Sequence, residues 1–167
     1  VPLYKPQGGA RLSRLTTDEH LTGAQEIALT SLIAAAYGAG TIAIAPIGYG
    51  PVQARVTDAL IPLSYHKKIG KAGILGVTLG CVIANIISPY GLPDLVIGTL
   101  ANLLASSFSY QCRHIAGYKG KLLATLIPAL IIAALVAGVL LSIVYGAPFT
   151  ATMVAVTAGE LVSCVVI

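Results

Sequence analysis

A chain of 167 residues that is 56% hydrophobic and 10% charged, with a mean hydropathy of +0.88, is too apolar for a water-soluble core, where about 25% charged residues is usual. Its net charge of +4 comes in small basic clusters between apolar runs, with no continuous stripe. That argues against nucleic acid as a partner and for a topology set by a membrane. The expected fold is all-α: one compact six-transmembrane-helix bundle with lipid around it, spanning residues 24–167 after a tail, 1–23, on the cytoplasmic side.

In the tail, Thr16 followed three residues later by Glu19 fits a capping box, so helix is expected to begin near Thr17. The tail's charges are unlike a signal peptide, and because the chain opens on Val1 its start is expected to be processed. Ile167 ends an apolar run with no charged stop, and a continuation is expected there.

Runs of about 20 apolar residues bounded by Gly, Pro or charge predict spans at 24–46, 51–66, 70–89, 93–113, 121–145 and 148–167. The second is short for a bilayer. The first is lined with small residues, Ala35, Ala39 and Ala43 recurring at intervals of four beside Ala36 and Gly40. Such a surface lets another helix approach closely, either within the bundle or on a partner subunit.

Between the first two spans, GPVQARVTDAL (50–60) places Arg55 three residues before Asp58, close enough to pair across one helical turn. Gln53 and Thr57 add donors and acceptors on the adjoining face. The group is either a structural ion pair or the lining of a site.

Three further spans carry polar stripes at helical spacing: Thr78, Cys81, Asn85 and Ser88 in the third, Asp94, Gly98, Asn102, Ser106 and Ser109 in the fourth, and Met153, Thr157, Glu160 and Cys164 in the sixth. Glu160 lies twelve residues into its span, about 18 Å along the axis and near the bilayer centre. A carboxyl there costs several kcal/mol unless paired or hydrated. The stripes are expected to enclose a cavity between spans three to six, covered by the 48–51 loop and open to the outside, with Asn85, Asn102 and Glu160 as candidate ligand contacts. For the hydroxyls, hydrogen bonding between helices is the plainer explanation.

Orientation follows from the basic residues, which short cytoplasmic loops retain. Lys5, Arg11 and Arg14 lie in the tail, Lys67, Lys68 and Lys71 between spans two and three, and Arg113, Lys119 and Lys121 between four and five. Both termini are therefore expected in the cytoplasm, with SPYGLP (88–93) and YGAP (145–148) outside. Tyr49, Tyr90 and Tyr145 then mark the outer interface, as belt anchors or as ligand contacts.

The sequence has no P-loop, no HExxH, no Asp-rich diphosphate motif and no Ser/His/Asp set, so an enzyme is not expected. Cys81, Cys112 and Cys164 sit in apolar runs at spacings that match neither a zinc site nor a disulfide framework, and read as small buried hydrophobes. His20, His66 and His114 fall on the cytoplasmic side, away from Glu160. No metal and no cofactor is expected.

GPVQARVTDAL at 50–60, LGCVIANI at 79–86, DLVIGTLANLLAS at 94–106 and AGELV at 158–162 together resemble the QueT family, the substrate-binding (S) components of energy-coupling factor transporters. The likeness covers most of the chain from about Ala24 onward, its most specific motif being Gly-Pro-x-Gln-x-Arg-x-(Ser/Thr)-acid-Ala-Leu. Thr57-Asp58 stands where the family more often has Ser-Glu. The resemblance implies a cell-membrane protein that captures a small solute on the outer side and docks on a transmembrane coupling protein driven by two cytoplasmic ATPase subunits. It implies a queuosine precursor, a deazaguanine-type base, as ligand, Gln53, Arg55, Asp58, Asn85, Asp94 and Glu160 as matching site positions, and Ala35, Ala39 and Ala43 as the docking face. A guanine-like edge offers two adjacent N–H donors, which a carboxylate such as Glu160 or Asp94 can accept together. The alternative is a non-transporting membrane scaffold or assembly subunit, in which the same residues only pack helices. A self-sufficient secondary carrier fits less well, because the sequence shows no inverted repeat.

Overall fold

A computed structural model describes residues 21–49 and 55–166, and every regular element among them is helical. The order is α1 (Gly23–Ala43), a single turn α2 (Ala45–Gly48), a 3₁₀ helix (Val56–Tyr65), α3 (Gly70–Asn85), α4 (Gly91–Cys112), α5 (Tyr118–Ile132) running on as a π-helix (Ala133–Val144), and α6 (Phe149–Val166). The expected capping box at Thr16 and the start near Thr17 lie outside the described residues. Among the described residues α1 is capped by Thr22. Thr22 accepts from the Gln25 amide at 3.4 Å, and the Gln25 side chain accepts from the Thr22 amide at 2.9 Å.

Six apolar helical segments are present, as expected, but they are unequal. Gly23–Ala43, Gly91–Cys112 and the continuous Tyr118–Val144 are long and apolar enough to cross a membrane, whereas α3 and α6 are shorter apolar helices. The second span is corrected most. Of the helix expected over 51–66, residues 51–54 lie outside the described residues, and Val56–Tyr65 form a ten-residue 3₁₀ helix, which at about 2.0 Å per residue covers roughly two thirds of a 30 Å hydrocarbon core. Three residues per turn eclipse every third side chain. Arg55, Asp58, Ile61 and Ser64 accordingly share one buried edge.

The fifth span begins three residues earlier than expected, at Tyr118, after Gly117 supplies a left-handed φ of 80°. Its second half is wound in π geometry, where the Ser142 hydroxyl donates to the Ala137 carbonyl five residues back at 2.7 Å.

The core joins α1, the 3₁₀ helix, α3, α4 and α5 through Ile33, Tyr37, Ile61, Val77, Ala101, Ala105 and Ile132, extended by Val136 and Leu140 from the π-helix. α1 and α3 approach backbone to backbone. A β-carbon at Gly76 or Gly80 would lie 2.7 Å from the Cβ of Ile33 or Tyr37. Ile27, Leu32, Leu79, Val96, Leu130 and Val154 remain exposed around the outside, as the lipid-facing side of a membrane bundle requires.

The alanine stripe stays outside this packing: Ala35, Ala39 and Ala43 are all exposed. Gly40, beside them, is needed for a different reason, because its missing β-carbon leaves room for the Thr57 methyl, 2.7 Å from where that carbon would stand. Cys81, Cys112 and Cys164 are free and buried, as expected of small hydrophobes.

Candidate functional site

The polar stripe of α4 turns inward along its whole length, with Asp94, Gly98, Asn102, Ser106 and Ser109 all buried. On α3, Cys81, Asn85 and Ser88 are buried and Thr78 is half-buried. On α6 the expected face is rotated. Glu160 and Cys164 are buried, together with Val156 and Ser163, whereas Met153 and Thr157 border a shallow groove of about 370 Å³ shared with Val154, Ala158 and Leu161.

These elements bring six of the seven expected site residues together. Arg55, Asp58, Asn85, Asp94, Asn102 and Glu160 are each at most 2% exposed. Gln53 lies outside the described residues, as does Pro51 of the expected covering loop, while Gly48 closes α2.

The ion pair that spacing allows between Arg55 and Asp58 does not form. Arg55 Nη2 donates to both oxygens of Asp94, at 3.2 Å each, and its guanidinium stands 5.3 Å from the centre of the Tyr49 ring. Arg55 stands at the N-cap of the 3₁₀ helix, and from there its guanidinium reaches across to α4. Ser88 donates its hydroxyl to Asp94 Oδ2, and Asn85 Nδ2 donates to the Asp94 carbonyl at 3.0 Å and to Cys81 Sγ at 3.3 Å. Gly98 makes this convergence possible. A β-carbon there would sit 2.6 Å from Asn85 Nδ2 and 2.9 Å from Asp94 Oδ1.

Asp58 belongs to a second chain of contacts. Tyr37 donates its hydroxyl to Asp58 Oδ1 and itself accepts from Asn102 Nδ2 at 2.6 Å. The buried Glu160 carboxyl is a neighbour of Asp58, and Cys164 Sγ meets the Asp58 carbonyl at 3.6 Å, tying α6 to the 3₁₀ helix. Three atoms of the cluster are buried without a partner: Arg55 Nε, Asp58 Oδ2 and Glu160 Oε2. A buried polar group left unpaired costs about 1–3 kcal/mol, so three in one place are a strong mark of a site that something else completes.

Tyr49, expected at the outer interface as a belt anchor or a ligand contact, is buried over the cluster. Its hydroxyl donates to the Ala84 carbonyl at 2.9 Å and to Asn85 Oδ1 at 3.4 Å. Tyr90 donates to the Tyr49 carbonyl at 3.4 Å, and Tyr145 donates to the Tyr90 carbonyl while its ring meets Tyr90 edge-on at 5.3 Å. The three tyrosines thus form a linked cap. Tyr37 was not singled out in the sequence; its only signal was helical spacing, four residues before Thr41, which bonds back to the Tyr37 carbonyl at 2.9 Å and to the Thr57 hydroxyl at 2.6 Å.

At the opposite end of the bundle lies a cavity of about 360 Å³ lined by Leu21, Glu26, Lys67, Lys71, Tyr110 and Arg113 among others. Lys67, Lys68, Lys71 and Arg113 gather there, so the bundle has a basic end and an end capped by tyrosines.

A family model described as the QueT transporter matches residues 27–167. Over 81 residues the chain is 32% identical to the queuosine precursor transporter QueT of Lactococcus lactis subsp. cremoris (strain MG1363). That alignment takes in 47% of this chain and 46% of that relative, so the chain spans about half the length of the curated relative it matches. No solved structure matches. With the family model covering nearly all of the helical bundle, the chain belongs to the QueT transporter family, as a multi-pass protein of the cell membrane.

Proposed function

We propose that this chain is the substrate-capture subunit of an energy-coupling factor uptake transporter, and that it binds a queuosine precursor, a small polar heterocycle of the deazaguanine type, from the outer side. The observation that carries this reading is the convergence of Arg55, Asp58, Asp94 and Glu160 with three buried polar atoms left unpartnered. Pure helix packing does not call for such a cluster, since an apolar core would be as stable or more so. The Lactococcus relative, a queuosine precursor transporter by name, supports the ligand class.

Asp94 is already engaged by Arg55 and Ser88, so the acceptor for a guanine-like N–H edge falls to Glu160 and Asp58. The cluster is closed by its own packing, and ligand entry requires the tyrosine-capped end to open. Gln53 and the 48–51 loop belong to that entry in this reading.

The gathering of Lys67, Lys71 and Arg113 at one end supports a cytoplasmic basic end, with N and C termini inside and the tyrosine cap outside. The exposure of Ala35, Ala39 and Ala43 supports a docking face for a transmembrane coupling protein worked by two cytoplasmic ATPase subunits, because packing inside the bundle would have covered them. The test is equilibrium binding of deazaguanine bases to the purified protein and to Glu160→Ala. Saturable binding by the parent and its loss in the variant are expected; equal retention of ligand by both would remove Glu160 from the site.

A further inference from the structure

At the end of the bundle away from the tyrosines, the cavity of about 360 Å³ gathers four cationic side chains, Lys67, Lys68, Lys71 and Arg113, against a single acid, Glu26. Among the described residues Glu26 makes no ion pair with Lys67, Lys71 or Arg113, so positive charge remains in excess there. Basic residues retained at one membrane face ordinarily point into water and need no cavity. Two features set this group apart. The half-buried Arg113 guanidinium is stacked on the Tyr110 ring, 3.7 Å from its centre, which holds its donor edge in place. Gly70, at a φ of 40°, keeps room for that pair, since a β-carbon there would stand 3.2 Å from Tyr110 Cε2 and 3.5 Å from Arg113 Nη1.

From this cavity an apolar ridge runs along α3. Lys71 is followed at steps of four by Leu75, Leu79 and Ile83, each about half exposed. We propose that the cavity holds the phosphate of an anionic phospholipid. Arg113 forks onto the phosphate oxygens, Lys67 and Lys71 add charge around it, and the acyl chains lie against Leu75, Leu79 and Ile83. A phosphate diester brings acceptors and one negative charge but no donor, the complement of a group rich in N–H donors. Basic pockets between membrane helices take anionic headgroups by the same chemistry. Free phosphate would leave the ridge unused, and a zwitterionic headgroup would add a cation where cations are already in excess. The bound lipid bridges the start of α1, the start of α3 and the end of α4.

The full chain, purified in detergent, is titrated with phosphatidylglycerol or with phosphatidylcholine of the same acyl chains. Native mass spectrometry counts bound lipid while thermal unfolding is followed in parallel. One phosphatidylglycerol per chain is expected, held about tenfold more tightly than phosphatidylcholine and raising the melting temperature. Lys71→Gln, at an exposed position, should weaken its retention about fivefold, the worth of one basic residue near an anionic surface, and Arg113→Gln by at least as much. Lys121→Gln removes a charge outside the cavity and should leave retention unchanged. Equal retention of the two lipids by the parent, or an equal loss in Lys121→Gln, overturns the proposal. An equal rise in melting temperature with inorganic phosphate alone would assign the cavity to a free anion and overturn it as well.

Discussion

Arg55 and Asp94, thirty-nine residues apart in the chain, meet at 3.2 Å with side chains almost wholly removed from solvent, and they lock the 3₁₀ helix to the start of α4. A buried pair adds little net stability over an apolar replacement, yet removing one partner leaves the other charge uncompensated, at about 3–5 kcal/mol. Arg55→Met and Asp94→Leu should therefore each unfold at markedly lower temperature than the parent. The double variant should recover much of the loss, since no lone charge remains. Thermal unfolding of the three proteins in one detergent checks this, and strictly additive losses would mean that the pair is not coupled.

The glycine at position 98 is required by the site. A β-carbon there meets Asn85 Nδ2 and Asp94 Oδ1 below 3.0 Å, so Gly98→Ala should push the Arg55–Asp94–Asn85 group apart and cost about 1–3 kcal/mol. Gly138→Ala, where the nearest atom would be 3.8 Å away, provides the contrast and should be tolerated. Melting temperature together with affinity for the deazaguanine base separates the two.

Much of this arrangement is legible in the sequence, for physical reasons that differ by element. The α4 stripe can be read directly, because five small or polar residues at steps of three and four in an apolar helix have only the bundle interior to face. The partner of Arg55 cannot. Spacing along one helix favours Asp58, whereas the true partner is set by tertiary approach and by the 3₁₀ winding of a segment that looks like a short span. The π-helix leaves no trace in AALVAGVLLSIV, a run too uniformly apolar to show a period. Met153 and Thr157 belong to the stripe expected around Glu160 but lie at its lipid-side edge. Helical spacing fixes which residues share a face and is silent on how far that face is rotated.

The membrane orientation can be tested with introduced cysteines, because the three native ones are buried and contribute little background. Pro89 and Ala116 are exposed in connections at opposite ends of the bundle. A membrane-impermeant maleimide applied to intact cells should label Pro89→Cys and spare Ala116→Cys until the membrane is opened. The reverse pattern would turn the protein over and place the tyrosine cap inside.

In the proposed uptake reading, the alanine face separates capture from coupling. Ala35, Ala39 and Ala43 project from α1 on the side away from the α1–α3 contact, which depends instead on Gly76 and Gly80 against Ile33 and Tyr37. Enlarging an exposed residue displaces nothing inside the bundle, so Ala39→Trp should fold and hold ligand as the parent does, its melting temperature shifting by the equivalent of no more than about 0.5 kcal/mol. A helix that must approach closely through small side chains is, however, held off by an indole. Cells carrying Ala39→Trp should then lose uptake of the base, and the variant should no longer bring down ATPase subunits on purification. If uptake and co-purification persist at the parent's level, the coupling protein docks elsewhere on the bundle.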